Sequence, residues 1–280
     1  MAKDAVIGFI TGYNFNKLKP WVYSLLDSKF SGDKFVFIYE PIGNDVVPKL
    51  HELGFKTIIL QKNEPFSIMV HRFYHLWWFL NTIEEKYRYV ITTDVADVIF
   101  QSNPSTYLSI LRDSYNSILL SEEGLKYRDE PWGDQNLKLS FGANIHNSIK
   151  DQVICNAGVV AGKHESLESL ALNIFLACQG SPLHVPGGGG PDQAALNVIT
   201  NMFPWNEVVL KSDHKQGWAC QCGTVADPNK INDFRPLIVD CEPFWDGEYA
   251  YTPDGRKYVI VHQYNRVPEW KKIIEERYDR

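Results

Sequence analysis

Two carboxylates close a short apolar run in Tyr89-Val-Ile-Thr-Thr-Asp-Val-Ala-Asp-Val-Ile-Phe-Gln101. The β-branched stretch from Tyr89 to Thr93 predicts a buried strand. Asp94 and Asp97 then fall at its C-terminal end, where open α/β sheets bind ligands. Two hard oxygen ligands suit Mn²⁺ or Mg²⁺, and either cation can hold a diphosphate. The spacing equally allows Asp94 to cap the strand while Asp97 is merely solvated, so the pair alone leaves both readings open. Asp192-Gln193 enters a helical pattern directly after Gly187–Gly190. A carboxylate there is a helix cap by the ordinary rule, or a general base carried on a glycine hinge. His262 lies near the end of the apolar run Lys257–Tyr264. It is either a structural histidine or a metal ligand at the mouth of the same sheet.

These side chains need a sheet to carry them. Ala5–Thr11 is a first strand, apolar enough to be buried on both faces, followed by Gly12-Tyr13-Asn14 and a helix over Leu18–Leu26 with Pro20 near its start. Neither a G-x-G-x-x-G nor a G-K-[ST] follows that strand, so Thr11, Gly12 and Tyr13 either hold a base or ribose or form a plain βα turn. Lys34–Tyr39 and Phe55–Leu60 are further strands, separated by a short helix over Val47–Leu53. This alternation predicts an α/β fold with a largely parallel sheet. A long helix spans Ser67 to Tyr87 with Met69, Phe73, Leu76, Trp77 and Leu80 on its apolar face. Arg72 lies off that stripe and can reach a phosphate or a sugar hydroxyl with its fork, or simply face solvent.

Beyond the carboxylates, a helix over Thr106–Arg112 and a strand over Ser117–Ser121 precede Glu122–Asn147, a polar stretch without clear period that reads as a lid or acceptor-binding loop. Ile154–Gly162 is a strand in which Asn156 stands beside Ala157 and Gly158, small residues that admit a ligand to the backbone while the amide reads a hydroxyl. Helices follow at Ser166–Cys178 and Glu269–Arg280. Cys220-x-Cys222 with Cys241 lacks the four-ligand spacing of a zinc site, so these are ordinary thiols.

Composition narrows the class. With 280 residues, 44% hydrophobic and 13% aromatic, the chain can bury a substantial core. A net charge of −6 excludes a general nucleic-acid binder. No apolar run reaches the roughly 20 residues of a transmembrane helix. Met1-Ala-Lys-Asp leads directly into a strand without a leader, and five cysteines fit a reducing compartment, so the expected location is cytoplasmic.

In order along the chain, Thr11-Gly12-Tyr13, Arg72, Asp94-x-x-Asp97-Val-Ile-Phe-Gln, Asn156-Ala-Gly, Asp192-Gln-Ala-Ala-Leu-Asn197 and His262 resemble the GT-A class of nucleotide-sugar-dependent glycosyltransferases over residues 5 to 266. The resemblance implies one GT-A (Rossmann-like) domain over residues 1–280, with a mixed, mostly parallel sheet flanked by helices. Residues 1–101 would form its nucleotide-sugar half and residues 102–280 its acceptor and catalytic half. It further implies Asp97 as the last, metal-ligating carboxylate of the D-x-D motif and His262 as an additional ligand. Asn156 and Asp192-Gln193 take donor-sugar or catalytic positions. The chain departs from the pattern at Val95, where the motif has an acid, which leaves Asp94 either a direct ligand or a partner of ribose or metal-bound water.

The expected reaction is glycosyl transfer, hexosyl or pentosyl, from a UDP-sugar to a hydroxyl of an oligosaccharide or glycan acceptor. Mn²⁺ or Mg²⁺ neutralises the leaving diphosphate, and Asp192 is the base of an inverting step or, in a retaining enzyme, the group that orients the sugar. Arg72, Thr11, Gly12, Tyr13, Asp94, Asn156 and Gln193 are the expected donor contacts. Length and the D-x-x-D-V-I-F-Q run resemble the small glycosyltransferases with which large algal viruses decorate capsid glycans, a xylosyltransferase among them, which places UDP-xylose first. Two alternatives use the same residues: a metal-dependent phosphohydrolase or nucleotidyltransferase, and a non-catalytic sugar-binding module.

Overall fold

Ala5–Thr11 forms strand β1, and its side chains divide between two cores: Val6 and Ile10 join one cluster, Ala5, Ile7 and Phe9 the other. Burial on both faces is what a continuous apolar strand in a parallel sheet requires. The computed structural model describes residues 3–62 and 65–280. Met1 and Ala2, the start of the expected leaderless N-terminus, lie outside them.

The first half continues through α1 (Phe15–Asp27), β2 (Asp33–Tyr39), α2 (Val46–Glu52), β3 (Lys56–Leu60), α3 (Ile68–Thr82) and β4 (Tyr89–Thr93). Next come β5 (Val98–Phe100), α4 (Pro104–Tyr107), β6 (Ile118–Lys126), α5 (Pro131–Ile149), β7 (Val153–Lys163), α6 (His164–Ala177) and α7 (Asp192–Thr200). The last third holds β8 (Val209–Ser212), β9 (Ala219–Gln221), α8 (Cys222–Val225) and α9 (Ile231–Phe234), then β10 (Phe244–Trp245), β11 (Ala250–Tyr251), β12 (Ile260–His262) and α10 (Pro268–Arg277).

Seven strands form the central sheet in the order β3-β2-β1-β4-β7-β6-β8. All neighbouring pairs are parallel except β4–β7 and β6–β7, so β7 alone runs against the rest. This is the mixed, mostly parallel α/β sheet expected. A second sheet, β5-β12-β9, stands beyond the C-terminal end of β4. Residues 94 to 97 are the passage from one sheet to the other, and that passage is what places them at an edge.

Three expectations are corrected. The stretch 122–147 is not an irregular loop: β6 runs on to Lys126, and α5 then occupies most of the remainder. Glu130 caps α5 by accepting from Gly133 N at 2.6 Å, and Pro131 sits where a missing N–H costs nothing. Gly142, at φ 74°, breaks the helix in the middle and hides the four-residue spacing of Leu137, Phe141, Ile145 and Ile149, which pack together against α7. Helix α3 stops at Thr82, where Ile83 turns extended, and its buried face is Val70, Phe73, Leu76, Phe79 and Leu80. Met69 and Trp77 are only partly covered. The expected strand over Lys257–Tyr264 contracts to three residues in β12. Among the described residues no helix is long and apolar enough to cross a membrane, and all five cysteines are free thiols.

Candidate functional site

A polar cavity of about 600 Å³ opens at the C-terminal end of β4. Its floor is set by Val95, which is 3% exposed and packs against β1 at Gly8. A Cβ on Gly8 would lie 2.5 Å from Val95 Cγ2 and 3.0 Å from Trp21, so β1 must carry glycine there. Trp21 in turn donates through Nε1 to Thr93 Oγ1 at 2.8 Å. With Val95 driven into the core, Asp94 and Asp97 face the cavity. The apolar residue that departs from a D-x-D motif is therefore the anchor of this turn. Backbone bonds fix both flanks: Asp94 N donates to Gly158 O at 2.8 Å, and Gln263 N donates to Asp97 O at 2.8 Å.

His262 completes a group of possible ligands with the two carboxylates, all three offering atoms within 4.8 Å of one another. Nε2 stands 3.5 Å from Asp94 Oδ2 and 3.7 Å from Asp97 Oδ1. These separations are close to the ~3 Å between neighbouring ligands of an octahedral cation with bonds near 2.1 Å. Cross-strand pairing sets the ring: His262 on β12 lies opposite Gln221 on β9, and Gln221 Oε1 is 2.7 Å from Nδ1. Gln221 Nε2 donates to Ser121 Oγ, so its Oε1 must accept from the imidazole N–H. The lone pair on Nε2 is thereby aimed at the carboxylates, as in metal-binding histidines whose other ring nitrogen donates to a fixed acceptor. Two carboxylates and an imidazole so oriented fit Mn²⁺ or Mg²⁺.

Arg72 reaches in from α3 and ties three elements together. Nη1 donates to Asp94 Oδ1, and Nη2 donates to Asp192 Oδ2 at 2.8 Å and to Ala157 O at 3.0 Å. Three polar residues of α7 face β7. Asp192 holds Arg72, Gln193 Oε1 accepts from Ala157 N at 3.3 Å, and Asn197 both accepts from Cys155 N and donates to Cys155 O. They grip a paired irregularity in the sheet. Between the pairs Leu120–Val160 and Glu122–Cys155, β6 advances two residues and β7 five. Between Glu122–Cys155 and Lys126–Val153, β6 advances four and β7 two. Bulges re-aim side chains. Here they turn Asn156 and Glu123 into the cavity, where Asn156 Nδ2 donates to Glu123 Oε1 at 2.6 Å.

Burial opposes charge throughout, and neighbours decide the outcome. It works to raise Asp94, but Arg72 and His262 overcome it and hold the carboxyl well below the usual range. It pushes Asp97 up, with Asp94 adding to the rise. It pushes Asp192 up against the pull of Arg72. For His262 burial favours the neutral ring, but Asp94 and Asp97 more than offset it and raise the value. Burial carries Glu123 up to about 7, opposed by the Asn156 amide and aided by Glu130.

Of the residues singled out from the sequence, Tyr13, Arg72, Asp94, Asp97, Asn156, Asp192, Gln193 and His262 all line this one cavity. Thr11 and Gly12 do not. Thr11 Oγ1 is buried without a partner, and Gly12, at φ 69°, borders a second, more open cavity that it shares with Tyr13. Glu123, Glu130, Gln221 and Trp132 belong to the site but carried no functional signal of their own. Trp132 lies across the glycine run and donates to Gly188 O at 3.2 Å. A Cβ on Gly187 would come 2.9 Å from its ring, and Gly187, Gly188 and Gly189 all have positive φ. The run is thus shaped to the tryptophan, a constraint beyond that of a flexible arm.

No family model and no curated protein matches the sequence. The fold does have a solved counterpart: mouse xyloside xylosyltransferase 1 in its apo form superposes with a TM-score of 0.53 over 92% of this chain and 97% of that chain, at 12% identity. The likeness bears out the GT-A-type fold expected from the order of motifs.

Proposed function

We propose that this chain is a metal-dependent glycosyltransferase that moves a sugar from a UDP-sugar to a hydroxyl of a glycan acceptor. The observation that carries the reading is the Asp94–Asp97–His262 ligand group, opening onto a polar cavity at the C-terminal edge of a GT-A-type sheet. A cation held there supplies neutralising charge for a diphosphate leaving group. Residues 1–101 would hold the nucleotide, with Tyr13 beside the base or ribose, and residues 102–280 would hold the acceptor. Lys230 and Arg266, which also line the cavity, add positive charge for the diphosphate. Asn156 and Gln193, both anchored at the β7 bulge, present fixed amides to donor hydroxyls. Trp132 offers an acceptor ring a flat apolar face.

Asp192 was the base expected from sequence. Its ion pair with Arg72 favours a different part: the Asp94–Arg72–Asp192 bridge holds the guanidinium still beside the donor. UDP-xylose stands first among donors, because the structural counterpart is a xyloside xylosyltransferase.

Titration calorimetry of UDP, GDP and a panel of UDP-sugars, with Mn²⁺ and with chelator, tests the reading. The expected result is metal-dependent UDP binding that disappears in Asp97→Ala. Absence of nucleotide binding under every metal condition would refute it, and phosphate release from simple esters would support the hydrolase instead.

A further inference from the structure

We infer that Glu123 is the group that takes the proton from the acceptor hydroxyl as it attacks the donor sugar. The assignment rests on the transferase reading above.

Five carboxylates line the cavity: Asp94, Asp97, Glu123, Glu130 and Asp192. Arg72 grips Asp94 and Asp192, so each of these carboxylates has an oxygen committed to the guanidinium. Asp97 belongs to the ligand group with His262. Glu130 is committed to capping α5 through Gly133 N. Glu123 differs from all four. Among the described residues it has no lysine, arginine or histidine within ion-pair distance, and its side chain accepts from the neutral amides of Asn156 and Gln193.

Its position is built. Gly124 follows it at φ 77°, and a Cβ there would meet Asp240 Oδ1 at 2.8 Å, so the turn that aims Glu123 inward needs glycine. Thr224 Oγ1 donates to Glu123 O at 2.7 Å and fixes the backbone. Asn156 cannot flip: its Oδ1 accepts from Gly158 N at 2.6 Å, which leaves its NH₂ for Glu123. A 6% exposed carboxylate with only neutral amides as hydrogen-bond partners keeps a high proton affinity, and burial carries it up to about 7. That lies near the optimum for a base working at neutral pH.

The step balances without a further reactant. The acceptor O–H proton passes to a Glu123 carboxylate oxygen as the new O–C1 bond forms. The C1–O bond to the diphosphate breaks, and its electron pair leaves with the nucleotide. Attack opposite the leaving group inverts C1.

The test is transfer from the donor identified by calorimetry, compared between wild type and Glu123→Gln. Glutamine keeps the acceptor atom for Asn156 but cannot take the proton. The expected result is a fall in kcat of about 10²- to 10⁴-fold, with UDP affinity within threefold of wild type. NMR of the wild-type product should show the anomeric configuration opposite to the donor's. Glu123→Asp, which withdraws the carboxylate by one methylene, should retain more activity than the glutamine variant and serves if that variant does not fold. Retention of more than a tenth of wild-type kcat in Glu123→Gln, an aspartate variant no better than glutamine, or a product with the donor's configuration would each overturn the assignment. Failure of the transferase reading looks different: the wild type itself would then neither bind UDP nor form product.

Discussion

Replacing Glu123 by glutamine should stabilise the metal-free protein at neutral pH. The carboxyl moves from its ordinary 4.5 to about 7 on folding. Below pH 4.5 it is protonated in both folded and unfolded chains, so the stability associated with it is fully present. Between 4.5 and 7 the unfolded chain ionises while the folded one keeps its proton, and stability falls. Above 7 both are ionised and the loss is complete. At 1.36 kcal/mol per pKa unit the loss is on the order of 3 kcal/mol, with little discount for solvent because Glu123 is 6% exposed. Glutamine has the same shape and no such dependence.

Urea unfolding of both proteins between pH 4.5 and 8, in chelator, isolates the effect. The difference in unfolding free energy cancels the titration of every distant group. What it retains is the coupling of Glu123 to Glu130, His262 and Tyr127. The glutamine variant should gain little at pH 4.5 and roughly 3 kcal/mol at pH 8. A difference that stays flat across that range, or one that favours the wild type at pH 8, would refute the claim that a buried carboxylate is held there without a cation. An active site that costs stability in this way is a familiar trade between function and folding.

Other residues of the site give narrower expectations. Alanine at Gly158 would put a Cβ 2.3 Å from His262 Cε1 and 2.9 Å from Asn156 Oδ1, displacing both. Mn²⁺ affinity measured by calorimetry should fall at least tenfold, and unchanged affinity would mean His262 is not a ligand. Gln221→Leu removes the acceptor that orients the imidazole and should weaken Mn²⁺ binding by about 10- to 100-fold while leaving UDP-independent folding intact by circular dichroism. Trp132→Ala should raise the acceptor KM about tenfold with no change in the UDP dissociation constant. An effect on UDP alone would move Trp132 to the donor side.

The strands of the central sheet were legible wherever burial is two-sided. Ala5–Thr11 and Tyr89–Thr93 have the bounds that their unbroken apolar runs suggest. Elements whose stability is tertiary were not. Strands β5 and β9 are three residues each, too short to show a period, and exist because both pair with β12, the part of the apolar run Lys257–Tyr264 that stays a strand, β5 from 160 residues away and β9 from 41. Helix α5 was hidden by Gly142. Its stripe from Leu137 to Ile149 keeps helical spacing, but the polar residues between and the glycine inside it imitate a loop. Tertiary contact with α7 overrides that local weakness.

The site divides along the same line. Asp94 and Asp97 were visible because a carboxylate that ends a buried strand contradicts the burial pattern before it. Glu123 makes the same contradiction at the end of Ser117–Ser121, yet Glu122 beside it makes the pair read as solvated chain. What separates them is register: the opposed bulges of β6 and β7 send Glu123 inward and bring Asn156 against it, and no local pattern encodes where two distant strands slip. The same slip exposes Ala157 O to Arg72 and Gly158 O to Asp94 N, so the bulge also sets the guanidinium and the first carboxylate. Arg72 spends its charge on Asp94 and Asp192. Among the described residues no lysine or arginine forms an ion pair with Asp97 or Glu123. Their charges are answered differently: Asp97 shares its space with a histidine aimed to ligate, and Glu123 is hydrogen-bonded only by amides. One is placed beside a histidine to share a cation, the other to gain and lose a proton.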